Sequence, residues 1–384
     1  MYLDGIKWDF PFCSDDKINW GKIEKTFPFV KPMKDCQQNP KYHGEGDVWS
    51  HTKLALEQLV NNPEWQQLPP TERSVLFVSV LLHDVEKPSC SKEEEGEIRS
   101  KKHSVLGARM ARRLLWDTTM EGYIKAPWIV REYVSNMVLL HMLPFFFFSK
   151  LDPSYSVIAA SQVVSNKMLF LMGWADSHGR ICSDHQDIKN AADALDLFED
   201  YCSENKCFDR PKQFLYPEED MRFRFLYERK GSLFDSFNSP IKGHVIFMSG
   251  LPASGKDYTI KAKYGDMPVV SLDQIRKRMG AKHGEEEGEV VNIGREDCKV
   301  LMREGKNFVF NATNTIKDMR KNWIDLFRKY GYRIETYYIE RPLLDLLERN
   351  KKRDNPVPEE IILEKFEKLD VPTLLECHSL IYDV

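Results

Sequence analysis

The chain has 384 residues and lacks Cys-x-x-Cys pairs, long apolar runs and an excess of positive charge. Its eight cysteines are scattered, so we expect reduced thiols rather than a disulfide framework. The apolar stretch at residues 142–148 is far too short to span a bilayer. The first residues lack the basic and apolar regions of a signal peptide. We therefore expect a cytoplasmic protein without a membrane partner.

The composition is typical of a globular protein, with 42% apolar and 30% charged residues and a mean hydropathy of −0.48. The length suits two domains, each with its own core. A net charge of −4 argues against a strongly basic nucleic-acid scaffold. It does not argue against an enzyme that grips a few phosphates, because local clusters such as Arg349, Lys351, Lys352 and Arg353 decide that contact.

The hydrophobic periodicity changes along the chain and predicts a multidomain protein. Residues 1–205 are expected to form an all-α domain, with helices at 48–59, 72–83, 105–115, 129–143, 157–176 and 188–202. The charge run at 91–97 is interpreted as a solvated loop, and residues 206–242 as a connector.

Residues 243–384 are expected to form an α/β domain with a parallel sheet. Short apolar runs predict strands at 245–248, 308–310 and 337–339. Helical patterns at 289–303, 316–330, 343–353 and 359–369 lie between or after them, and such alternation is typical of a parallel sheet.

The first half holds a set of metal-binding residue types. These are His51, the doublet His83-Asp84, and Asp176. Neutral histidine and anionic aspartate both coordinate divalent metals. Adjacent residues on a helix point about 100° apart, so His83 and Asp84 can share a metal only where a helix end faces the site. Taken singly, each histidine also fits an ordinary surface or core position.

Over roughly residues 10–200 the sequence resembles the HD phosphohydrolase superfamily. The matching motifs are His43-Gly-Glu-Gly-Asp-Val-Trp-Ser-His51-Thr, Leu82-His83-Asp84-Val-Glu-Lys87-Pro88 and Ala175-Asp176-Ser-His-Gly-Arg180. The resemblance implies one or two divalent ions of the Mn, Ni, Co, Zn or Mg type. The implied ligands are His51, His83, Asp84 and Asp176, with His103 and His141 added in two-metal members. Asp84 can bridge two ions, which would activate water at a phosphoryl centre.

Two further residues of this region are open to two interpretations. Lys87 either touches a substrate phosphate, as a catalytic residue, or is a solvated lysine. His43 is either part of the site or structural.

The second half contains a phosphate-binding loop, Gly-x-x-x-x-Gly-Lys, directly after an apolar strand. Backbone N–H groups at the start of the following helix are aimed at phosphate, and Lys256 supplies charge to the β- and γ-phosphates. We expect ATP or another nucleoside triphosphate with Mg²⁺. The expected nucleotide-binding residues are Gly250, Pro252, Ala253, Ser254, Gly255, Lys256, Asp257 and Tyr258. Asp257 occupies the place of the usual Mg²⁺-binding Ser or Thr, and its carboxylate either binds Mg²⁺ or repels the triphosphate.

Residues 242–384 resemble the polynucleotide kinase branch of the P-loop phosphotransferases. The supporting motifs are Ser271-Leu-Asp273-Gln-Ile-Arg276, Asn311-Ala-Thr-Asn314 with Arg320, and Arg349-Asn-Lys-Lys-Arg353. The resemblance implies that Asp273 is the general base for a 5′-OH. It also implies that Arg276 holds a neighbouring phosphate, with Arg320 as a second substrate contact.

In the same resemblance, Arg349 and Arg353 are lid arginines that neutralise the transferring phosphoryl group. The alternative for Asp273 is a helix N-cap, and for the arginines a solvated basic face. Asn311 stands where many related kinases carry Asp.

The order of the two halves resembles bacterial bifunctional end-healing enzymes, which join an HD phosphoesterase to a polynucleotide 5′-kinase. The resemblance implies removal of 2′,3′-cyclic, 2′- or 3′-phosphate from RNA ends and phosphorylation of 5′-OH ends of RNA or DNA. The products would suit a nucleic-acid ligase. Two alternatives are a metabolite kinase fused to a nucleotide phosphohydrolase, and a nucleotide-sensing P-loop domain that regulates an HD phosphohydrolase.

Overall fold

The computed structural model describes residues 3–14, 17–230, 240–281 and 286–384. The chain divides into two compact units, Met1–Lys212 and Gln213–Val384. Residues 231–239 of the predicted connector, like Met1 and Tyr2 of the predicted start, lie outside the described residues. Within the described ranges, no helix combines the length and apolar character needed to cross a membrane.

The first unit is mostly helical. Its helices are α1 (Trp20–Thr26), α2 (Val30–Asp35), α3 (Val48–Asn61), α4 (Pro63–Gln67), α5 (Pro70–Leu82), α6 (Lys87–Cys90), α7 (His103–Leu114), α8 (Trp128–Leu140), α9 (Leu143–Phe146), α10 (Pro153–Ser161), α11 (Asn166–His178) and α12 (His185–Glu204). Two antiparallel hairpins join β1 (Cys13–Ser14) to β2 (Lys17–Ile18) and β3 (Ser91–Glu94) to β4 (Glu97–Ser100).

Helix α5 lies at the centre of the first unit. Pro70 opens it, where a missing N–H costs nothing, and ten of its residues are buried. It packs against α3, α8 and α11. The largely apolar segment before His83 is therefore a core helix, and its carboxyl end delivers His83 and Asp84 to the interior.

Two predictions for the first unit are wrong. The single helix predicted at 157–176 is two helices, because Ser165 has extended backbone angles and its side chain accepts a hydrogen bond from the Met168 N–H, which starts α11. The charge run predicted as a loop forms the β3–β4 hairpin. Glu95 and Gly96 turn it with φ of 55° and 78°, the left-handed pair that a tight two-residue hairpin needs.

The second unit contains a five-stranded parallel sheet in the order β6-β7-β5-β8-β9. The strands are β5 (Gly243–Ser249), β6 (Val269–Ser271), β7 (Phe308–Asn311), β8 (Tyr332–Ile339) and β9 (Ser379–Asp383). The helices are α13 (Glu218–Leu226), α14 (Lys256–Lys263), α15 (Leu272–Met279), α16 (Glu287–Arg303), α17 (Lys317–Lys329), α18 (Leu343–Lys351) and α19 (Glu359–Glu367). The hydrophobic pattern of the sequence does not predict β6, β9 or α13.

Both faces of the sheet are covered, as expected for parallel strands. Val245 and Phe247 pack into the larger core, whereas Ile246 and Met248 pack into a second core that includes Ile260 of α14. The chain leaves β5 for β6 and β7 on one side and later adds β8 and β9 on the other. The loop after β5 therefore lies where the strand order reverses, the usual ligand site of such sheets.

The predicted connector is partly structured. Phe223 of α13 is buried in the larger core of the second unit, beside the ring of His378. Residues 213–230 and 240–242 thus group with the second unit, whereas residues 206–212 group with the first.

Candidate functional sites

The candidate metal ligands of the first unit come together at the inner ends of five helices. His51 lies in α3, His83 directly after α5 with Asp84 next to it, His103 at the start of α7, His141 directly after α8, and Asp176 in α11. All are buried except His103, which is half-buried.

These six residues form two groups of three, each with its ligand atoms within 4.8 Å of one another. One group is His51, His83 and Asp176, and the other is Asp84, His103 and His141. Asp84 lies between them. Its Oδ2 is 3.2 Å from Nε2 of His83, and its Oδ1 is 3.5 Å from Nε2 of His103. Asp84 thus presents one oxygen to each group, as a bridging carboxylate would.

Backbone carbonyls fix the orientation of three of the histidines. Nδ1 of His83 donates to the Val80 carbonyl at 2.7 Å, and His103 and His141 make the equivalent bond three residues back, at 2.8 and 2.7 Å. A histidine that donates from Nδ1 keeps the lone pair of Nε2 for a metal, and such second contacts are usual around metal ligands.

The donor set fits a divalent cation. Nε2 of His83 is buried, makes no hydrogen bond among the described residues, and has Oδ2 of Asp84 3.2 Å away. Nε2 of His103 lies 3.1 Å from Nε2 of His141, and burial lowers the pKa of His141 to about 3. With both Nδ1 atoms donating, two lone pairs face each other, which a cation between or beside them would relieve. Mixed imidazole and carboxylate ligands suit Mn, Co, Ni or Zn.

Glu45, which the sequence analysis did not single out, supports the first group. Its Oε1 contacts Nδ1 of His51 at 3.0 Å and Nδ1 of His43 at 2.8 Å, and its Oε2 accepts the Ile181 N–H. Burial opposes the charge of Glu45, but these hydrogen bonds outweigh it and lower its pKa. Nε2 of His51 faces Asp176 at 3.1 Å. His43 therefore belongs to the supporting shell of the site.

Lys87 lies at the edge of the same cluster. Its Nζ is 2.6 Å from Oδ2 of Asp84 and donates to Oε1 of Gln38 at 2.7 Å. Burial opposes the charge of Asp84, but its contacts with His83 and Lys87 outweigh this effect and hold the Asp84 pKa well below its usual range. Lys87 is partly exposed, so its ammonium group lies where an anionic group of a substrate could reach it.

In the second unit, the loop between β5 and α14 needs glycine at two positions. Gly250 has φ of 153°, and a Cβ there would lie 2.4 Å from the Ile339 carbonyl oxygen. Gly255 has φ of 106° and caps α14. Alanine would be strained at both, because this backbone region disfavours residues with a Cβ.

Lys256, the first residue of α14, folds back on the loop. Its Nζ donates to the carbonyls of Gly250 and Leu251 at 2.8 and 2.9 Å. Burial lowers the pKa of Lys256 to about 8, against the charges of Asp273 and Asp257, which raise it. A bound phosphate would replace these two carbonyls as the partner of Lys256.

Most of the predicted kinase residues line one cleft at the carboxyl edge of the sheet. The lining residues are Pro252, Ala253, Gly255, Lys256, Asp257, Tyr258, Asp273, Asn311, Thr313, Arg349, Arg353 and Val357. Arg349 is exposed near the end of α18 and Arg353 lies just beyond it. Tyr258 is 79% exposed. Gly250 and the buried Ser254 lie in the loop behind this lining.

Asp273 is available for chemistry. Ser271, rather than Asp273, caps α15, because its hydroxyl accepts the Gln274 N–H. Asp273 therefore does not fit the alternative interpretation as an N-cap. Its side chain is 61% exposed and is held by Nη1 of Arg276 at 2.7 Å. Arg276 also binds Glu287 through a second, bidentate contact.

The prediction that Arg320 contacts substrate is wrong. The side chain is 1% exposed, and its Nε and Nη2 both donate to Glu376 at 2.9 Å. Its Nη1 donates to the carbonyls of Asn314 and Asp370. These contacts tie α17 to the segment before β9, so Arg320 is a structural residue. A buried arginine and a substrate arginine look alike in sequence.

The comparisons with known proteins point to kinases. A family model described as an AAA domain matches residues 245–371. L-seryl-tRNA(Sec) kinase of Methanococcus maripaludis is 25% identical over 135 residues, which are 33% of this chain and 53% of that protein. The chain thus spans about half the length of this curated relative.

A solved structure of a candidate kinase from Chloroflexus aurantiacus aligns with 37% of this chain. The alignment covers 88% of the Chloroflexus chain, at 14% identity and a TM-score of 0.31. The family match lies within the second unit, which is a kinase-like P-loop domain, and domains of this kind hold a nucleotide, typically with Mg²⁺. The resemblance of the first unit to the HD superfamily stays a prediction.

Proposed function

We propose that this chain heals nucleic-acid ends with two separate sites. The second unit transfers the γ-phosphate of a nucleoside triphosphate to a 5′-OH of RNA or DNA. The first unit is an HD-type, metal-dependent phosphoesterase that removes a 2′,3′-cyclic, 2′- or 3′-phosphate from an RNA end. The products carry the 5′-phosphate and 3′-OH that a ligase requires.

The observation that carries this proposal is the placement of Asp273 in the same cleft as Lys256, Arg349 and Arg353. A phosphate loop alone serves many nucleotide-binding proteins. An exposed carboxylate and two arginines in the same cleft as the loop add a base for an incoming hydroxyl and charge for the transferring group. This combination favours a hydroxyl kinase over a nucleotide sensor.

The residues take distinct parts in the transfer. Asp273 accepts the proton of the 5′-OH, whose oxygen then attacks the γ-phosphorus, and the bond to the β–γ bridging oxygen breaks to release the nucleoside diphosphate. Arg276 orients Asp273 through their 2.7 Å contact. Lys256, Arg349 and Arg353 offset the negative charge of the phosphoryl group. Asp257 and Asn311 are placed to hold Mg²⁺, which when bound shields the triphosphate.

In the first unit, His51, His83 and Asp176 would hold one divalent ion, and Asp84, His103 and His141 a second. Such ions supply an activated water and Lewis acidity at phosphorus. Lys87 lies 2.6 Å from Asp84 and would bind a non-bridging oxygen of the substrate phosphate. Because these histidines and aspartates are mostly buried and make contacts with one another, they are held in place before substrate arrives.

The first test is transfer of labelled γ-phosphate from ATP to a short 5′-OH RNA in the presence of Mg²⁺. We expect transfer by the native chain and its loss in Lys256→Ala, with Lys261→Ala, an exposed lysine later in α14, as the matched control. Binding of ATP without transfer to RNA or DNA would contradict the proposal and favour the nucleotide sensor.

A second candidate function follows from the similarity to L-seryl-tRNA(Sec) kinase of Methanococcus maripaludis. The acceptor would then be the serine attached to tRNA rather than a strand end. A competition assay with seryl-tRNA and a 5′-OH oligonucleotide that carries no amino acid separates the two candidate functions. Transfer to seryl-tRNA alone would replace the polynucleotide proposal, and transfer to a small metabolite alone would favour the metabolite kinase.

A further inference from the structure

Two residues of the kinase cleft differ in a coordinated way from the usual P-loop arrangement. In that arrangement a Ser or Thr follows the loop lysine, and an Asp at the end of a neighbouring strand completes the Mg²⁺ site. Here Asp257 follows Lys256, and Asn311 ends β7, the strand next to β5. The carboxylate is on the loop, and the neutral side chain is on the strand.

The two side chains touch. Nδ2 of Asn311 donates to Oδ1 of Asp257 at 2.7 Å, which places both at the floor of the cleft beside the phosphate loop. This contact uses the Nδ2 end of the Asn311 amide and leaves its Oδ1 for another partner. A neutral amide beside a carboxylate is an arrangement that two carboxylates could not adopt without repulsion.

The free oxygen of Asn311 is the second observation. Asn311 is 5% exposed, and its Oδ1 is buried without a hydrogen-bond partner among the described residues. Buried acceptors of this kind are rare, because leaving one unsatisfied is costly. A hard cation, with or without its water, satisfies such an oxygen, and amide oxygens are accepted ligands of Mg²⁺ and Ca²⁺.

The exchange conserves what a magnesium site needs. Ser or Thr with Asp carries one negative charge, and so does Asp257 with Asn311. Both combinations offer one anionic oxygen and one neutral oxygen at the same two backbone positions. Asn311 therefore compensates within the cleft for the absence of Ser or Thr at position 257. Such compensation is expected of an exchanged site and not of a decayed one.

We propose that Asp257 and Asn311 are an exchanged magnesium pair, in which the loop supplies the anionic ligand and the strand supplies the neutral one. The inference rests on the proposed kinase function for its biological purpose, but the pair is defined by nucleotide and metal binding alone. It predicts that the two positions depend on each other: either single change upsets the site, and the double change restores it.

The test compares the native chain with Asp257→Ser, Asn311→Asp and the double variant Asp257→Ser/Asn311→Asp. ATP affinity is measured by titration calorimetry with and without Mg²⁺, and the metal is observed directly with Mn²⁺ and ATP by electron paramagnetic resonance. Asp266→Ser, an exposed aspartate of the same unit, is the matched control.

We expect Asp257→Ser to lose about 10–100-fold in Mg²⁺-dependent ATP affinity, the range found when support of a metal is removed. Asn311→Asp should weaken ATP binding in the absence of metal, because two carboxylates then face the triphosphate. The double variant should return to within a few-fold of the native chain. Asp266→Ser should bind as the native chain does.

Equal Mg²⁺ dependence in Asp257→Ser and the native chain would overturn the inference, as would a double variant that is no better than Asp257→Ser. Neither result depends on the phosphate acceptor. A chain that shows the expected metal pattern but phosphorylates no nucleic acid would refute the proposed function and leave the magnesium pair standing.

Discussion

The candidate metal site of the first unit is assembled from five helices, whereas the phosphate loop of the second unit is one contiguous segment. In the first, the ligands are buried and already held by backbone carbonyls and by Glu45. In the second, Asp273 is 61% exposed and Lys256 is bonded to the carbonyls of its own loop. The first site is therefore organised before it binds a ligand, whereas the second must exchange internal contacts for substrate contacts.

The largest predicted effect is reciprocal loss of the two activities. Asp84→Asn removes the bridging charge and should lower phosphoesterase activity by about 10³-fold or more, with kinase activity unchanged. Asp273→Asn removes the proposed base and should lower kinase activity by about 10²–10⁴-fold, with phosphoesterase activity unchanged. Both rates are measured on each purified variant.

Each variant serves as the other's control for folding. If either substitution abolished both activities in a chain with native circular dichroism, the two sites would not be independent and the comparison would fail.

A large effect on stability is expected at Arg320. Arg320→Met leaves the buried Glu376 without its partner, which should cost about 3–5 kcal/mol in the free energy of unfolding of the second unit. Urea denaturation measures this loss. Arg278→Met, at an exposed arginine of α15, is the control and should change little. Unchanged stability combined with a raised KM for RNA would restore the substrate role of Arg320.

An intermediate effect is expected at Glu45, which orients a ligand of the organised site. Glu45→Gln weakens the contact with Nδ1 of His51, and should reduce Mn²⁺ affinity by about 10–100-fold. Calorimetric titration of the metal-free chain with Mn²⁺ measures this loss without reference to activity. Glu57→Gln, at an exposed position of α3, is the matched control. Equal affinities in the two variants would mean that Glu45 does not support the metal site.

The smallest effect concerns Lys256, whose pKa is lowered by burial from 10.5 to about 8. The folded chain therefore disfavours the charged amine, at a cost that is complete below pH 8 and disappears as the pH rises through 10.5. Lys256→Met should raise the free energy of unfolding at pH 7 by about 1–2 kcal/mol, and the gain should shrink at higher pH.

Urea denaturation at several pH values between 7 and 10.5 checks both the sign and the trend. A Lys256→Met chain that is less stable than the native chain at pH 7 would show that the buried charge of Lys256 does not destabilise the fold. The same variant should lack kinase activity.

The contiguous features could be predicted from the sequence because one segment contains both the signal and its structural context. The strand, loop and helix around Lys256 are of this kind, as is the apolar helix that ends at His83. Convergence of His51, His103, His141 and Asp176 could not follow from periodicity. It depended on a resemblance, and the structure brings those residues together.

The missed features depend on contacts between distant residues or on single capping side chains. Burial of Arg320 depends on Glu376, which is 56 residues further along the chain. The helix break at Ser165 depends on one hydroxyl within an apolar run. Glu45 carries no periodic signal, and its role becomes visible only when His43 and His51 are seen on either side of its carboxylate.

The proposed function requires one chain to repair both ends of a broken strand. The most direct measurement uses a single short RNA with a 5′-OH and a 2′,3′-cyclic phosphate, incubated with the native chain, ATP, Mg²⁺ and Mn²⁺, and analysed by mass spectrometry. We expect a product that gains a 5′-phosphate and loses the phosphate at its other end, with Asp273→Asn blocking only the first change and Asp84→Asn only the second. An RNA that leaves the reaction with both ends unchanged would contradict it.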